Sequence, residues 1–155
     1  AVDLRMVSTV QKTITDLERI GDEAKKIAKT AKQLHSNGSP FMPQIRLGHI
    51  ADAVVDMLRT ALDAYARLDT VAAAQVVRQD KDVDAEFKGI MRQLITYMIE
   101  DPRTISHAID MMFVAKSVER IGDHAKNIAE YVVYMVKGRD VRHTSLEEVE
   151  REATR

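Results

Sequence analysis

The sequence predicts an all-α protein: one complete three-helix bundle, preceded by the last helix of a second, incomplete three-helix bundle. Three observations predict it. Apolar residues recur every three or four positions over most of the chain, which is helical spacing. Only three prolines interrupt 155 residues rich in Ala, Met, Lys and Glu, all good helix formers. The stretch 18–28 returns as 119–129, with nine of eleven residues identical at a separation of 101 positions. So long a period marks a duplicated multi-helix unit rather than a short solenoid repeat.

The first helix is expected from the opening residues to about Gln33, with Leu17, Ile20, Ala24, Ile27, Ala31 and Leu34 as its apolar stripe. Gly38, Pro40 and Pro43 end it. A second helix, from about Gln44 to Leu68, carries Ile50, Val54, Met57, Ala61, Tyr65 and Leu68 on one face. Asp69 caps the third, whose stripe is Val76, Val83, Phe87, Ile90, Met91, Leu94 and Met98. Asp101-Pro102 opens the fourth, a cap followed by proline, and Gly138 closes it. Ser145-Leu146-Glu147-Glu148 has the form of a capping box, so a short polar helix or a disordered tail follows. The divisions are residues 1–36 for the incomplete repeat, 37–43 for a linker, 44–138 for the bundle and 139–155 for a polar tail. Short connections make helices two, three and four antiparallel neighbours. Helix one, equivalent to helix four, is expected to dock on the bundle, dimerise or be completed by another chain.

Composition excludes several function classes. A net charge of −1 offers no basic excess for nucleic acid. Zero cysteines rule out disulfides and thiolate metal sites and suit a cytosolic protein. No apolar run approaches the length of a membrane span, and no signal peptide opens the chain. It begins Ala1-Val2-Asp3, already in helical rhythm, as a fragment or processed product would.

The carboxylates carry the chemistry. Both repeat copies hold an acid pair four residues apart, Glu18 with Asp22 and Glu119 with Asp123. At 100° per residue these lie opposite the apolar stripe. The plain reading is a solvated face with local ion pairs: Asp22 to Lys26, Asp123 to Lys126, Lys116 to Glu119. Like charges at this spacing repel, however, by roughly 0.2–0.5 kcal/mol unless a cation lies between them. Asp80 and Asp84 fall on or beside the third helix's apolar stripe, where a carboxylate needs a partner or a ligand. Four carboxylates from two adjacent helices would suit Mg²⁺, Mn²⁺, Ca²⁺ or iron. Salt bridges to Arg78, Lys81 or a lysine on another helix are the alternative. The histidines look incidental, and Met111, Met112 and Phe113 read as core. Mid-helix Gly21 and Gly122 suggest close helix approach or room for a metal cluster.

At these residues the chain resembles the PhoU family of phosphate-transport accessory proteins. The resemblance is carried by Lys12-Thr13-Ile14, the two Glu-Arg-Ile-Gly-Asp stretches, Asp80-Lys81-Asp82-Val83-Asp84, Arg92-Gln93-Leu94, Tyr97-Met98, Glu100-Asp101, Arg103-Thr104-Ile105 and Val136-Lys137-Gly138. It implies two similar three-helix bundles, of which the family's first two helices are missing here. It also implies a cytoplasmic, non-enzymatic negative regulator of the phosphate regulon, coupling a phosphate ABC-importer ATPase to a sensor histidine kinase, as a homodimer or higher oligomer. The family's E/D-x-x-x-D metal motifs carry over to Asp80 with Asp84, Glu119 with Asp123, and Glu18 with Asp22, for Mg, Mn or Fe. Two rivals stand beside this reading. One is a metal-free helical interaction module. The other is a carboxylate-bridged di-iron protein, disfavoured because no Glu has a His three residues on.

Overall fold

The computed structural model describes residues 2–38, 40–138, 140–142 and 144–155. Ser39 of the expected linker and His143 of the tail lie outside the described residues. The elements are α1 (Val2–Ser36), α2 (Gly48–Arg67), α3 (Thr70–Glu100), α4 (Ile105–Lys137) and α5 (Leu146–Thr154), all helices.

The ends follow local chemistry. The Asp69 carboxylate accepts the Ala72 N–H at 3.0 Å and starts α3. Leu68, expected on the apolar face of the second helix, is instead 44% exposed, because at φ 57° it makes the left-handed corner out of α2. Asp101 accepts the Arg103 N–H, and Pro102–Thr104 forms one 3-10 turn before α4. Gly138, at φ 76°, closes α4. Ser145 accepts the Glu148 N–H and caps α5. Boundaries move by a few residues: α1 runs on to Ser36, α4 begins at Ile105 after the 3-10 turn, and α2 begins at Gly48 rather than near Gln44. The lead-in is held extended because Pro43 is buried and Met42, Ile45 and Leu47 pack against the core.

Helix α4 is the axis of the molecule. Its Ala115, Ala125, Ile128, Ala129, Val132 and Val133 are buried, and α1, α2, α3 and α5 all pack on it. Ile50, Val54 and Met57 of α2 and Val76, Val83 and Leu94 of α3 complete the core of the bundle. Helix α5 lies along α3 and α4, burying Val149 and Ala153. The Thr70 hydroxyl donates to the Ala153 carbonyl at 2.8 Å, and Arg78 pairs with Glu150.

Among the described residues, helix α1 packs on α4 alone of the helices. Arg5 lies beside Gly138, Asp16 beside Asn127 and Glu23 beside Arg120, so the two helices run antiparallel. The expected stripe holds in part, with Ile20 buried and Ile27 and Leu34 packed against the core, but the first half of α1 buries a different face. Thr9, Thr13, Asp16, Ile20 and Glu23 are buried, whereas Leu17 is 39% exposed, with Val10 and Ile14 also exposed. The reason lies in the surface α4 offers. Its outer face presents His124, Asn127 and Tyr131, whose polar atoms Asp16 satisfies.

Candidate functional site

Three carboxylates meet where α3 crosses α4. Asp80, Asp84 and Asp123 each bring one oxygen within 4.8 Å of the others. The one-turn spacing stacks Asp80 under Asp84 on α3, and the antiparallel neighbour supplies Asp123. Gly122 sits in the crossing. A Cβ there would lie 3.4 Å from Val54 Cγ2 and 3.8 Å from both Asp80 Oδ1 and Val83 Cγ1. These are ordinary van der Waals distances, so Gly122 lies in a closely packed crossing beside the acid, and a Cβ there would still fit.

Asp80 is 3% exposed, and its Oδ1, like Asp84 Oδ1, is buried without a hydrogen-bond partner. Burial first, then the charges of Asp84 and Asp123, push the Asp80 carboxyl up to about 7 against the opposing pull of Lys126. Burial, Glu119 and Asp84 raise Asp123 to about 6. Asp84 is raised by burial and Glu119. The cluster therefore concentrates negative charge in a place that penalises it.

Glu119 stands at the rim rather than in this group of three. Its carboxylate is 3.1 Å from Lys116, whose ammonium also sits 5.2 Å above the Phe87 ring. That ion pair is the expected one. Lys126, by contrast, turns from Asp123 to Asp80 at 3.8 Å and Glu130 at 4.0 Å. Arg78 is engaged by Glu150, so of the expected salt-bridge partners for Asp80 it is a lysine on another helix, Lys126 of α4, that the structure supplies. Glu18 and Asp22 are exposed on α1 and meet no further acid among the described residues. Lys26 reaches Glu23 at 3.3 Å instead of Asp22.

Sequence reasoning missed two groups. Glu130, buried beside Lys126, is raised to about 7 by its burial and by Asp140. The other is the polar seam between α1 and α4. Asp16 accepts from Asn127 at 3.2 Å and from the Tyr131 hydroxyl at 2.7 Å, and lies 2.7 Å from His124 Nδ1. At the far end burial would raise Glu23, but hydrogen bonds from Ser117 and Lys26 and the charges of Lys26 and Arg120 outweigh it and lower it. Under the 101-residue repeat Asp16 corresponds to Ser117 and Glu23 to His124. The mismatches between the copies therefore face each other across the seam. That correspondence is the signal that could have found His124.

A model of the PhoU domain matches residues 47–132, more than half of the chain. The chain belongs to the PhoU domain family. It is 49% identical over 146 residues to a protein of Pseudomonas putida named phosphate-specific transport system accessory protein PhoU homolog, covering 94% of this chain and 57% of that one. Against the Escherichia coli K12 protein named phosphate-specific transport system accessory protein PhoU it is 45% identical over 152 residues, covering 97% and 62%. The crystal structure of PhoU from Pseudomonas aeruginosa superposes with a TM-score of 0.86 at 47% identity, covering 90% of this chain and 66% of that one. The chain thus spans about three fifths of the length of those curated relatives. The PhoU-like bundle built on α4 is the expected fold. Among the described residues no helix is long and apolar enough to cross a membrane.

Proposed function

We propose that the chain is a regulatory adaptor of phosphate uptake that works by binding rather than by catalysis, and that its acid cluster takes a hard or borderline cation. The orphaned, buried oxygens of Asp80 and Asp84 beside Asp123 carry the metal reading. Acids left unpaired in a packed bundle are destabilising, and an oxygen-liking Mg²⁺, Mn²⁺ or iron ion would neutralise them. Asp80, Asp84 and Asp123 would hold it, with Glu119 free to join if Lys116 releases it. The bound ion would set the charge and stiffness of the α3–α4 surface. The names of the relatives support phosphate transport as the setting. An importer ATPase and a sensor kinase are the partners to test, with the chain acting in the cytoplasm as a homodimer or larger.

Elemental analysis of protein purified without chelators or metal-affinity resin tests the metal. Pull-down against the importer ATPase and the sensor kinase tests the adaptor. Asp80→Ala with Asp84→Ala should lose the metal and weaken capture; unchanged metal content and unchanged capture would sink both. A second reading, a metal-free interaction module, draws on Lys126, which already places a cation 3.8 Å from Asp80. Metal-free protein that binds both partners fully would favour it.

A further inference from the structure

Phe113 is 63% exposed although its neighbours Met111 and Met112 pack inward. It was expected in the core and is not there. One and two turns earlier on the same line of α4 stand Ile109 and Ile105, also exposed, so the three make an apolar strip along the helix surface. Beside the strip runs a groove of about 590 Å³ between α1 and α4. Lys26, Lys29, Lys116 and Arg120 line it, with Asp110 as the sole acid among its lining residues.

Two ordinary explanations fall short. Lysines near a helix C-terminus complement its dipole, but that effect fades beyond the last turn. Here Lys25, Lys26, Lys29 and Lys32 extend over residues 24–36 of α1 without one acid. Nor is the strip a demand of the fold. The repeat equivalents of Ile105, Ile109 and Phe113 on α1 are Leu4, Ser8 and Lys12, so one copy has an apolar strip where the other does not. The equivalents of Lys26, Lys29 and Lys32 on α4 are Asn127, Glu130 and Val133, so the basic run is also confined to one copy. Copy-specific apolar and basic residues lie side by side, in a chain whose net charge is −1.

We infer that this face binds an acidic amphipathic helix of a partner protein. The partner's apolar face would lie along Ile105, Ile109 and Phe113, and its carboxylates would meet Lys29, Lys26, Lys116 and Arg120. Three of these cations are already partly neutralised: Lys26 and Arg120 by Glu23, Lys116 by Glu119. Lys29 has no ion pair among the described residues and is the first available. The apolar strip supplies area, and the cations supply orientation and encounter rate. This surface is separate from the acid cluster and stands whether or not that cluster takes a metal.

The test uses the chain and a fluorescein-labelled amphipathic peptide of about 18 residues, long enough to be helical when bound, with a Glu/Asp face and a Leu face. Fluorescence anisotropy should show saturable binding that weakens with salt. Lys29→Glu and Phe113→Ser should each weaken it about tenfold, the scale of one good contact. Arg59→Glu, a charge reversal on exposed α2, should leave it unchanged. Both groove positions are exposed, and an unaltered helical circular dichroism spectrum confirms that neither variant unfolds the chain. Equal loss in Arg59→Glu, or equal binding of a peptide with its Leu face replaced by Ser, would overturn the proposal by showing unspecific charge attraction. So would absence of saturable binding. Vesicles of equal parts phosphatidylcholine and phosphatidylserine form the other arm. Binding there that depends on Lys29 and Phe113, with none to the peptide, would assign the face to a membrane surface instead.

Discussion

His124 Nδ1 lies 2.7 Å from the Asp16 carboxylate, joining two helices 108 positions apart in sequence. Asp16 is 5% exposed and serves three α4 side chains at once. Asp16→Ala would leave His124, Asn127 and Tyr131 short of partners in a half-buried seam. The expected loss in urea unfolding is about 2–3 kcal/mol. Asp22→Ala, six residues on and exposed, should stay within about 0.5 kcal/mol.

Stability should fall with rising pH in the metal-free protein. Unfolded, Asp80 titrates near 3.8; folded, at about 7. The folded state therefore binds the extra proton in that window, and the stability so gained is present below the lower value and lost as pH rises through the upper one. Asp123, at about 6, and Glu130, at about 7, act in the same direction. With chelator present, the melting temperature should be higher at pH 5 than at pH 8. Asp80→Asn should flatten the profile and stabilise the chain at pH 8 by about 1–3 kcal/mol.

Cation binding should rank the acids by position. Titration calorimetry with Mn²⁺ should show Asp80→Asn, Asp84→Asn or Asp123→Asn weakening affinity at least about tenfold, while Glu119→Gln, already engaged by Lys116, costs about threefold or less. Glu18→Gln and Asp22→Asn should change nothing measurable. Equal losses at all six positions would contradict the grouping seen here.

Three glycines separate propensity from geometry. At Gly21 an added Cβ meets nothing within 4 Å, so Gly21→Ala should stabilise by about 0.5–1 kcal/mol. At Gly138 the left-handed backbone resists a side chain, whereas Arg5 Nη1, 2.5 Å from the new Cβ, is the end of a flexible side chain and can move aside. Gly138→Ala should destabilise by about 1 kcal/mol or more. Gly122→Ala falls between, its helix-propensity gain opposed by close packing on Val54.

Local rules made most of the fold legible in the sequence. Caps at Asp69, Asp101 and Ser145 and the stop at Gly138 each depend on residues within a turn of the event. Asp80, Asp84 and Asp123 were legible because one-turn spacing and a short connection between helices suffice to bring them together. Glu119 failed to join because Lys116, three residues away, competes for it. The burial of Thr9, Thr13 and Asp16 in place of Leu17 was hidden. Amphipathic periodicity assumes that the covered face is the apolar one, and α4 offers α1 a polar partner. Phe113 departs for the matching reason: hydrophobicity predicts burial, and the side chain is 63% exposed.

The contact between α1 and α4 has the form of an isologous interface, a helix laid against a reversed version of itself. In an assembly of identical chains every change at such a contact appears twice, so both ends must accept the same chemistry. Placing both helices in one polypeptide removes that restriction. An imidazole can then answer a carboxylate at one end while a hydroxyl does so at the other, as His124 with Asp16 and Ser117 with Glu23 do. Such heterogeneity gives the chain two distinguishable ends, and with them a direction that a dimer of identical halves lacks.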